Sequence, residues 1–574
     1  NELVIKDENT LMVDKDTERS NLYEDFLKLT VNTEMLNAMK SFNSGPKVYI
    51  AIGSPFGIAL SAKALKNGDD EKLMSSADAY FRAARKYINE ENEKHVEWCN
   101  ELERFVKNKM LSFLREKQAN LKLKDQYMFY FFMKDPTLED YQKIQTKFLS
   151  EKLFNKDKFN IKISDDEIFG IADSLSGFND SKEFLKHKTG PVELNYRVNG
   201  IDVQKLHQFF RLQQKNKVLP NPFPLFIDEQ ELSEDAVRFF NKDKKAGHKE
   251  IIENLLEKRE NLQNYYLIYF NNNEKGSRIV DIDFVPLFRY KIDDVKLQEP
   301  FNLSGKFKNI PVSNIFEFQQ NIFNKIFNGQ LIIPTKRGSL WVRYFDDMEA
   351  KPEYGNATDT IVNLFYMYKM AIYDYVYKSK TQAITDKMFQ DMMRKSILDD
   401  ISHDKGFDKD YRIKEKLNIW FSLNNYFVKT QNKENMANKT QHLLEKIKQI
   451  AKSEETAEHI QTDDEFAFAA GQLIRTILNK SKSGERSHAL LEPFLQKTQC
   501  DKLKLAIARA FDTYKHAFKV YGGDATRYEF DKIMGDVMGY ETQTNMKDLL
   551  PLILAGYFSE TIFKKEVEGE PIQE

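Results

Sequence analysis

The chain has 574 residues, of which 41% are hydrophobic and 13% are aromatic. This composition supplies enough apolar surface for two or more folded domains and excludes a wholly disordered protein. The formal net charge is only −2, from 86 basic and 88 acidic residues, so any contact with phosphate must come from local basic patches.

Cysteine and histidine usage argues against a metal site. Cys99 and Cys500 lie far apart in the sequence, and none of the nine histidines falls in an HxxxH or HExxH spacing. We therefore expect no cofactor, and the isolated cysteines predict reduced thiols in a cytoplasmic protein. The sequence contains no apolar run of about 18 residues and begins with no signal-peptide pattern, so no membrane partner is expected.

The first part of the chain predicts mixed structure. Helices are predicted over residues 21–42, 71–117 and 203–214, with a strand from Val48 to Ile52. The aromatic run from Gln126 to Met133 predicts a strand that is buried on both faces. Thr137 and Asp140 have the spacing of a capping box that opens a helix to about Phe154. The proline-rich segment Leu219–Pro224 (LPNPFP) predicts a stiff connector.

Two hairpins follow this connector. Each is predicted from two strand-like runs around a polar, basic loop. The first has strands at 265–270 and 279–284, and the second at 331–333 and 340–344.

Beyond residue 352 strand signals give way to amphipathic helices, predicted over 361–378, 436–452, 465–480, 502–520 and 546–563. The predicted fold class is an α+β N-terminal region, with small sheets and hairpins, followed by an all-α helical bundle. We place the domain boundary between residues 352 and 353.

The hairpin tips are the first candidate site. Their basic and small polar residues suit phosphate or base contacts, while ordinary solvation of exposed loops explains the same charges. The residues are Asn273, Lys275, Ser277 and Arg278 in the first tip, and Lys336, Arg337 and Ser339 in the second.

Asp281 and Asp283 alternate along one predicted strand, which places both carboxylates on one face. A metal-dependent nuclease could use such a pair, whereas polar alternation on a half-solvated strand explains it without catalysis. The sequence has no phosphate-binding GxxxxGK[ST] loop and no GxSxG elbow, so an ATPase or hydrolase is not predicted.

Cations also cluster on the C-terminal helices. Either a solvated surface or a stripe that follows the DNA backbone accounts for them, because acidic residues are about as numerous there. The candidates for backbone contact are Arg475, Lys480, Lys482, Arg486, Lys515 and Lys519, while the interleaved aromatics Phe466, Phe468, Phe511, Tyr514 and Phe518 are predicted to be core.

The order of several segments resembles the large subunit of the subtype I-B CRISPR Cascade complex. The similar segments are 141–155 (YQKIQTKFLSEKLFN), 184–189 (FLKHKT), 195–198 (NYRV), 219–228 (LPNPFPLFID), 279–285 (IVDIDFV), 469–472 (AAGQ) and 554–557 (LAGY). The similarity is best between residues 125 and 290 and lies in the common order of the segments.

The resemblance implies a DNA- and RNA-binding assembly subunit that is not an enzyme. Its partners would be crRNA, target double-stranded DNA, the Cascade backbone subunits and a helicase-nuclease. Residues 1–352 would dock the crRNA end and recognise the protospacer-adjacent motif (PAM) as duplex, and residues 353–574 would resemble the small subunit and stabilise the R-loop. A further polar group in the similar region is a candidate for motif contact or for turn and core roles: Lys186, His187, Lys188, Asn195, Arg197 and Asn199.

Overall fold

A computed structural model describes residues 21–563, except for 35–41, 43–51, 68, 89–91, 122–124, 126, 155–159, 165–166, 172–196, 212–217, 243–245, 274–275, 304–309, 335–339, 350–356, 428–435, 454–457, 482–485 and 519–524. The chain divides into two compact units by its internal contacts. Unit 1 comprises Asn1–Lys217 and Asn272–Ile279, and unit 2 comprises Val218–Asn271 and Val280–Glu574.

Unit 1 packs helices around a two-stranded antiparallel ribbon, in which Gly57 lies opposite Phe132. The described elements are α1 Asn21–Val31, β1 Gly57–Ser61, α2 Ala62–Asn67, α3 Asp70–Ala84, α4 Glu93–Phe105, α5 Leu111–Leu121, β2 Met128–Phe132, α6 Leu138–Lys152, β3 Ile161–Lys162, β4 Ile168–Gly170, β5 Val198–Asn199 and α7 Gly200–Arg211. A π-helical turn, Val106–Met110, joins α4 to α5.

Two buried tyrosines fix the ribbon to the helices of unit 1. The Tyr80 hydroxyl of α3 lies 2.7 Å from the Gly57 carbonyl, and the Tyr141 hydroxyl of α6 lies 2.8 Å from the Phe56 carbonyl. Both side chains are fully buried, so each hydroxyl needs such an acceptor. The start of β1 is therefore held from two sides.

Several local predictions for unit 1 can be compared with the structure. The capping box is confirmed, because Thr137 Oγ1 accepts from the Asp140 amide and the Asp140 carboxylate accepts from the Thr137 amide. The aromatic strand β2 forms, but the expectation of two buried faces is wrong, since Tyr130 is 38% exposed. The helix predicted over 71–117 is interrupted between Tyr87 and Glu93, and most of the strand predicted at 48–52 lies outside the described residues.

The chain from residue 218 to 349 contributes small antiparallel sheets and short helices. They are β6 Phe223–Phe226, α8 Gln230–Lys242, α9 His248–Leu256, β7 Gln263–Asn273, β8 Gly276–Leu287, β9 Lys291–Leu297, β10 Ile310–Asn314, α10 Ile315–Phe318, α11 Asn324–Ile326, β11 Ile332–Pro334 and β12 Leu340–Val342. The strand orders are β6-β7-β8, β10-β9 and β11-β12, so both predicted hairpins are confirmed.

The segment Leu219–Pro224 was predicted as a stiff connector, and this is wrong for its last two residues, which begin the edge strand β6. The Asn221 side chain bonds both backbone groups of Phe270 at 2.7 and 2.8 Å, and so extends the pairing with β7 by one residue. The Ile227 amide donates to the Asn264 carbonyl on the β7 side, so the amides of residues 224 and 226 point away from the sheet. Pro224 has no N–H, and the Phe226 amide donates to Ser233 Oγ at 2.9 Å.

After β12 every described element is helical, which confirms the predicted fold class. The helices are α12 Asp359–Tyr377, α13 Asp386–Ser402, α14 Asp410–Ser422, α15 Met436–Lys452, α16 Asp463–Leu478, α17 Glu492–Leu495, α18 Cys500–Tyr514, α19 Ala525–Gly539 and α20 Leu550–Phe558. These helices and the preceding sheets of unit 2 share one continuous hydrophobic core.

Helices α16 and α20 cross in close backbone contact through two glycines. A Cβ placed on Gly471 would lie 2.2 Å from the Ile553 carbonyl oxygen, and one on Gly556 would lie 2.0 Å from the Phe468 oxygen. The buried Gln472 side chain donates to the Gly556 carbonyl at 2.6 Å. Only glycine leaves room for this approach. The segments 469–472 (AAGQ) and 554–557 (LAGY) therefore form the two sides of one helix crossing.

Candidate nucleic-acid interface

The first hairpin turns its carboxylates inward and its apolar side chains outward. Lys378 Nζ, on a side chain that is 4% exposed, lies 2.9 Å from an Asp281 oxygen, 3.4 Å from Asp283 and 2.9 Å from Asp374. On the opposite face, Ile282 is 54% exposed. The expectation that Asp281 and Asp283 lie on a solvated face is therefore wrong, because they hold β8 against the end of α12.

The electrostatics of this cluster follow from the lysines. Burial alone would raise the pKa of Asp283, but hydrogen bonding to Lys380 and the charge of Lys378 outweigh it, so the pKa lies below its ordinary value. A lysine ammonium thus occupies the space between the carboxylates in which a nuclease would hold its metal ion. Across the described ranges, no group of three or more His, Cys, Asp or Glu side chains is arranged to bind a metal.

The outward face of the same sheet is apolar. Leu225 of β6 lies opposite Tyr266 of β7, and the Tyr266 ring lies 5.6 Å from the ring of Phe284 on β8. Each of the three side chains is about 40% exposed. The alternation in the sequence predicted that the aspartates lie on the solvent-exposed face of the strand. Alternation does not show which face a neighbouring helix covers.

The basic residues of the two hairpin tips have no described side-chain positions. Residues 274–275, between β7 and β8, and residues 335–339, between β11 and β12, lie outside the described residues. The side chains of Asn273, Lys275, Ser277, Arg278, Lys336, Arg337 and Ser339 lie outside what the structure describes. Their role in DNA contact stays a prediction.

The stem of the second hairpin carries an exposed aromatic surface that sequence reasoning missed. Trp341 of β12 is 49% exposed, and the Arg343 guanidinium lies over its ring, 5.8 Å from the centroid. Burial raises the pKa of the nearby Asp346 carboxylate, although the Arg343 and Lys369 charges oppose that shift. About half of the ring is open to solvent.

Helix α12 continues this surface with a second aromatic and cation pair. Lys369 Nζ lies 4.7 Å from the ring centroid of Tyr366, which is 43% exposed, and donates to the Asp346 backbone carbonyl at 3.3 Å. The Tyr366 hydroxyl accepts from the Met348 amide at 2.7 Å. We call Trp341, Arg343, Tyr366 and Lys369 the Trp341 surface.

The cations of the Trp341 surface lie beside the carboxylates of Asp346 and Asp347. Arg343 donates to the Asp347 backbone carbonyl at 2.9 Å, and Lys369 donates to the Asp346 backbone carbonyl, so these hydrogen bonds do not neutralise either cation. Burial lowers the pKa of Lys369, and the Asp347 and Asp346 charges oppose that shift. From residue 331 to 349 the sequence has three cations and three acidic residues, the latter at Asp346, Asp347 and Glu349.

Among the polar candidates in the region that resembles the family, the structure describes Arg197 and Asn199. Lys186, His187, Lys188 and Asn195 lie outside the described residues, and Arg197 is half-buried just before β5. Asn199 pairs with Phe169 across β4 and β5, and its side-chain oxygen accepts from the Ile201 amide at 2.8 Å. The Asn199 side chain therefore serves the turn into α7.

The C-terminal candidates divide between internal and exposed positions. The Arg475 guanidinium is half-buried and donates to the Ser559 carbonyl, which ties α16 to the end of α20. Arg486 is exposed, while Lys482 and Lys519 fall outside the described residues. Phe466 and Phe468 are fully buried, which confirms that these two aromatics are core.

Two of the predicted cations come together with a third that was not predicted. Lys480 Nζ lies 5.3 Å from the ring centroid of Phe518, and the Arg527 guanidinium lies 5.5 Å from the same ring. Lys515, which is exposed and bonded to Asp512, stands one turn before Phe518. This C-terminal cation cluster joins α16, α18 and α19, and its members are too distant in sequence for local patterns to reveal.

No family model, curated protein or solved structure matches the chain in comparisons with known proteins. Among the described helices, none is both long and apolar enough to cross a bilayer.

Proposed function

We propose that the chain is the non-catalytic large subunit of a type I-B CRISPR RNA-guided surveillance complex, acting in the cytoplasm in antiviral defence. In this role it recognises the PAM, stabilises the R-loop and recruits the helicase-nuclease. Its partners are crRNA, target double-stranded DNA and the Cascade backbone subunits. The two hairpin tips and the C-terminal cation cluster supply local positive charge on a chain of net charge −2.

The observation that carries the proposal is the fit between the family-like segments and the demands of this fold. AAGQ and LAGY are more than 80 residues apart, yet their glycines meet at a crossing where a Cβ would collide with backbone. LPNPFPLFID forms the edge strand β6 and extends its pairing with β7. The common order of these segments, together with their defined structural roles in this chain, is the basis of the proposal.

Purification of a tagged chain from its native host tests the proposal directly. We expect a multi-subunit assembly from which short, repeat-flanked guide RNA can be extracted and sequenced. A lone chain without RNA would refute the assignment. The double variant Lys336→Glu/Arg337→Glu should then assemble normally but bind target duplex more weakly, with a shallower dependence of affinity on salt concentration.

A metal-dependent nuclease that uses Asp281 and Asp283 is our second proposal. Lys378 and Lys380 would have to leave the carboxylates before a metal ion could bind there. Cleavage of DNA by the isolated chain that requires Mg²⁺ or Mn²⁺, and is lost in Asp281→Asn, would establish this activity. No cleavage under the same conditions would remove it.

A further inference from the structure

We propose that the apolar face of the sheet β6-β7-β8 is a docking surface for a second copy of this chain. Six large apolar side chains on this face are each 39–54% exposed. They are Leu225 and Ile227 on and just after β6, Tyr266 on β7, and Val280, Ile282 and Phe284 on β8. The inference does not depend on the proposed function, because it concerns the free chain.

The six side chains form one continuous patch. Leu225 lies directly opposite Tyr266, and the ring of Tyr266 lies 5.6 Å from that of Phe284. The other three occupy alternate positions along β6 and β8, which places them on the same face as Leu225 and Phe284. The aspartates of β8 lie on the other face, where Lys378 binds them.

The extent of the patch matches what a dimer needs. The six side chains together expose on the order of 500 Å² of apolar surface, and patches of this size are often functional. A standard interface buries about 800 Å² on each partner, and about 65% of a homodimer interface is apolar. The face therefore supplies nearly the whole apolar part of one side of a homodimer interface.

The chemistry of the face suits an identical surface. Its six exposed side chains carry no charge, so a twofold axis brings no like charges together across the strands. At its border, Glu234 and Arg238 of α8 have opposite signs and line the clefts beside Phe223 and Leu225. Two sheet faces pack about 10 Å apart with their side chains interdigitated. A strongly charged partner would find no opposite charge on these strands.

The edge of the sheet directs the second copy to the face. Pro224 has no amide hydrogen and the Phe226 amide is bonded to Ser233 Oγ, so β6 offers an added strand no free donor among residues 223–226. Contact through the same face on both copies is isologous, and such a contact closes after two copies. The expected assembly is therefore a dimer and not a chain of copies.

Sedimentation velocity of the full-length chain from about 0.1 to 100 μM measures this association. We expect a monomer–dimer equilibrium with a Kd in the micromolar range or tighter, which interfaces of this size span. Ile282→Glu places one carboxylate from each copy in the interface and should weaken the dimer by at least about 100-fold. Leu505→Glu is the matched control, because Leu505 is 50% exposed on α18, and its Kd should stay within about threefold of wild type.

Hydroxyl-radical footprinting of the wild type locates the interface without a variant. Oxidation of Tyr266 and Phe284 should fall to less than about half as the concentration rises from monomer to dimer, because the centre of an interface excludes water. Oxidation of Tyr411, which is 45% exposed on α14, should not change. This measurement remains decisive if Ile282→Glu fails to fold.

The outcomes separate a second copy from other occupants. A chain that stays monomeric at about 100 μM overturns the proposal, as does a dimer in which the Tyr266 and Phe284 rings are not protected or a folded Ile282→Glu that dimerises like wild type. Growth beyond two copies contradicts an isologous pair. Protection of the two rings only when another protein is bound overturns the second copy and assigns the face to that protein. The assignment to an RNA-guided complex is tested separately, by the guide RNA in the purified assembly.

Discussion

The crossing of α16 and α20 makes Gly471→Ala the most informative single substitution in unit 2. The added methyl group would stand 2.2 Å from the Ile553 carbonyl oxygen and 2.7 Å from the Tyr557 amide nitrogen. Both atoms belong to the backbone of another helix, so no side-chain rotation can remove the collision. The helices must separate by at least 0.8 Å to bring the first distance from 2.2 to 3.0 Å.

The expected cost follows from what this separation disturbs. A gap of about 0.5–1 Å forfeits a quarter to a half of each dispersion contact, and overpacking a core commonly costs about 1–3 kcal/mol or more. The hydrogen bonds of Gln472 to the Gly556 and Glu560 carbonyls would also stretch, at about 1 kcal/mol each. Alanine has a higher helix propensity than glycine, and this difference offsets only about 1 kcal/mol of the lost stability. We expect a net loss of about 4 kcal/mol.

Hydrogen exchange followed by mass spectrometry on the full-length chain measures this loss locally. A loss of about 4 kcal/mol corresponds to exchange about 1000-fold faster in peptides that cover α16 and α20. Gly535→Ala is the matched control, because Gly535 lies inside α19 and its Cβ would meet nothing within 4 Å. That variant should be unchanged or more stable by up to about 1 kcal/mol.

Equal protection in Gly471→Ala and wild type would refute the reasoning. It would mean that the two backbones do not approach as closely as the crossing requires. Destabilisation by both alanine variants would also count against it, because the effect would then follow from replacing glycine and not from the contact.

Three further substitutions test buried polar groups of unit 2. Lys416→Met leaves the buried Asp400 carboxylate without its closest cation and should cost about 3 kcal/mol in urea unfolding, whereas Lys395→Met at a half-exposed ion pair should cost less than about 1 kcal/mol. Gln472→Leu removes the donor to two carbonyls and should lower stability by about 2–4 kcal/mol in the same assay. Burial lowers the pKa of His248 in the folded chain from 6.5 to about 3. As the pH falls below 6.5, the unfolded chain therefore binds a proton at this histidine that the folded chain does not bind. Stability should therefore fall by about 2 kcal/mol more between pH 7 and pH 5 in wild type than in His248→Phe, and equal losses would contradict the role of this histidine.

Periodicity and turn chemistry in the sequence predicted most local elements of this fold. The helix Met436–Lys452 forms with the predicted bounds, and the capping box at Thr137 forms with both of its hydrogen bonds. Both features depend on residues within a few positions of each other. Local physics is enough to specify them.

The misassigned elements depend on partners that are distant in the sequence. Proline at position 224 argued against a strand, yet β6 is an edge strand whose outward position needs no amide hydrogen. The alternation of Asp281 and Asp283 suggested a solvated face, because the sequence does not show that Lys378 approaches from almost 100 residues away. Tertiary contacts decided both cases.

The candidate site was predicted only in part for the same reason. Charge at the hairpin tips is visible in the sequence, whereas Trp341 was an unremarked residue of a predicted strand. Its exposure depends on which face of the hairpin β11–β12 remains uncovered. Lys480 and Arg527 are likewise 47 positions apart, and both approach the ring of Phe518.

The closed edge of β6 has a consequence for the chain during synthesis and at high concentration. Beyond β6, the sheet offers carbonyl oxygens but no free amide among residues 223–226, since Pro224 lacks one and the Phe226 amide is bonded to Ser233. A strand from another molecule needs both donors and acceptors to add to a sheet. The apolar face formed by Leu225, Tyr266 and Phe284 can thus remain exposed on a single copy without β6 serving as a template for a strand of another copy.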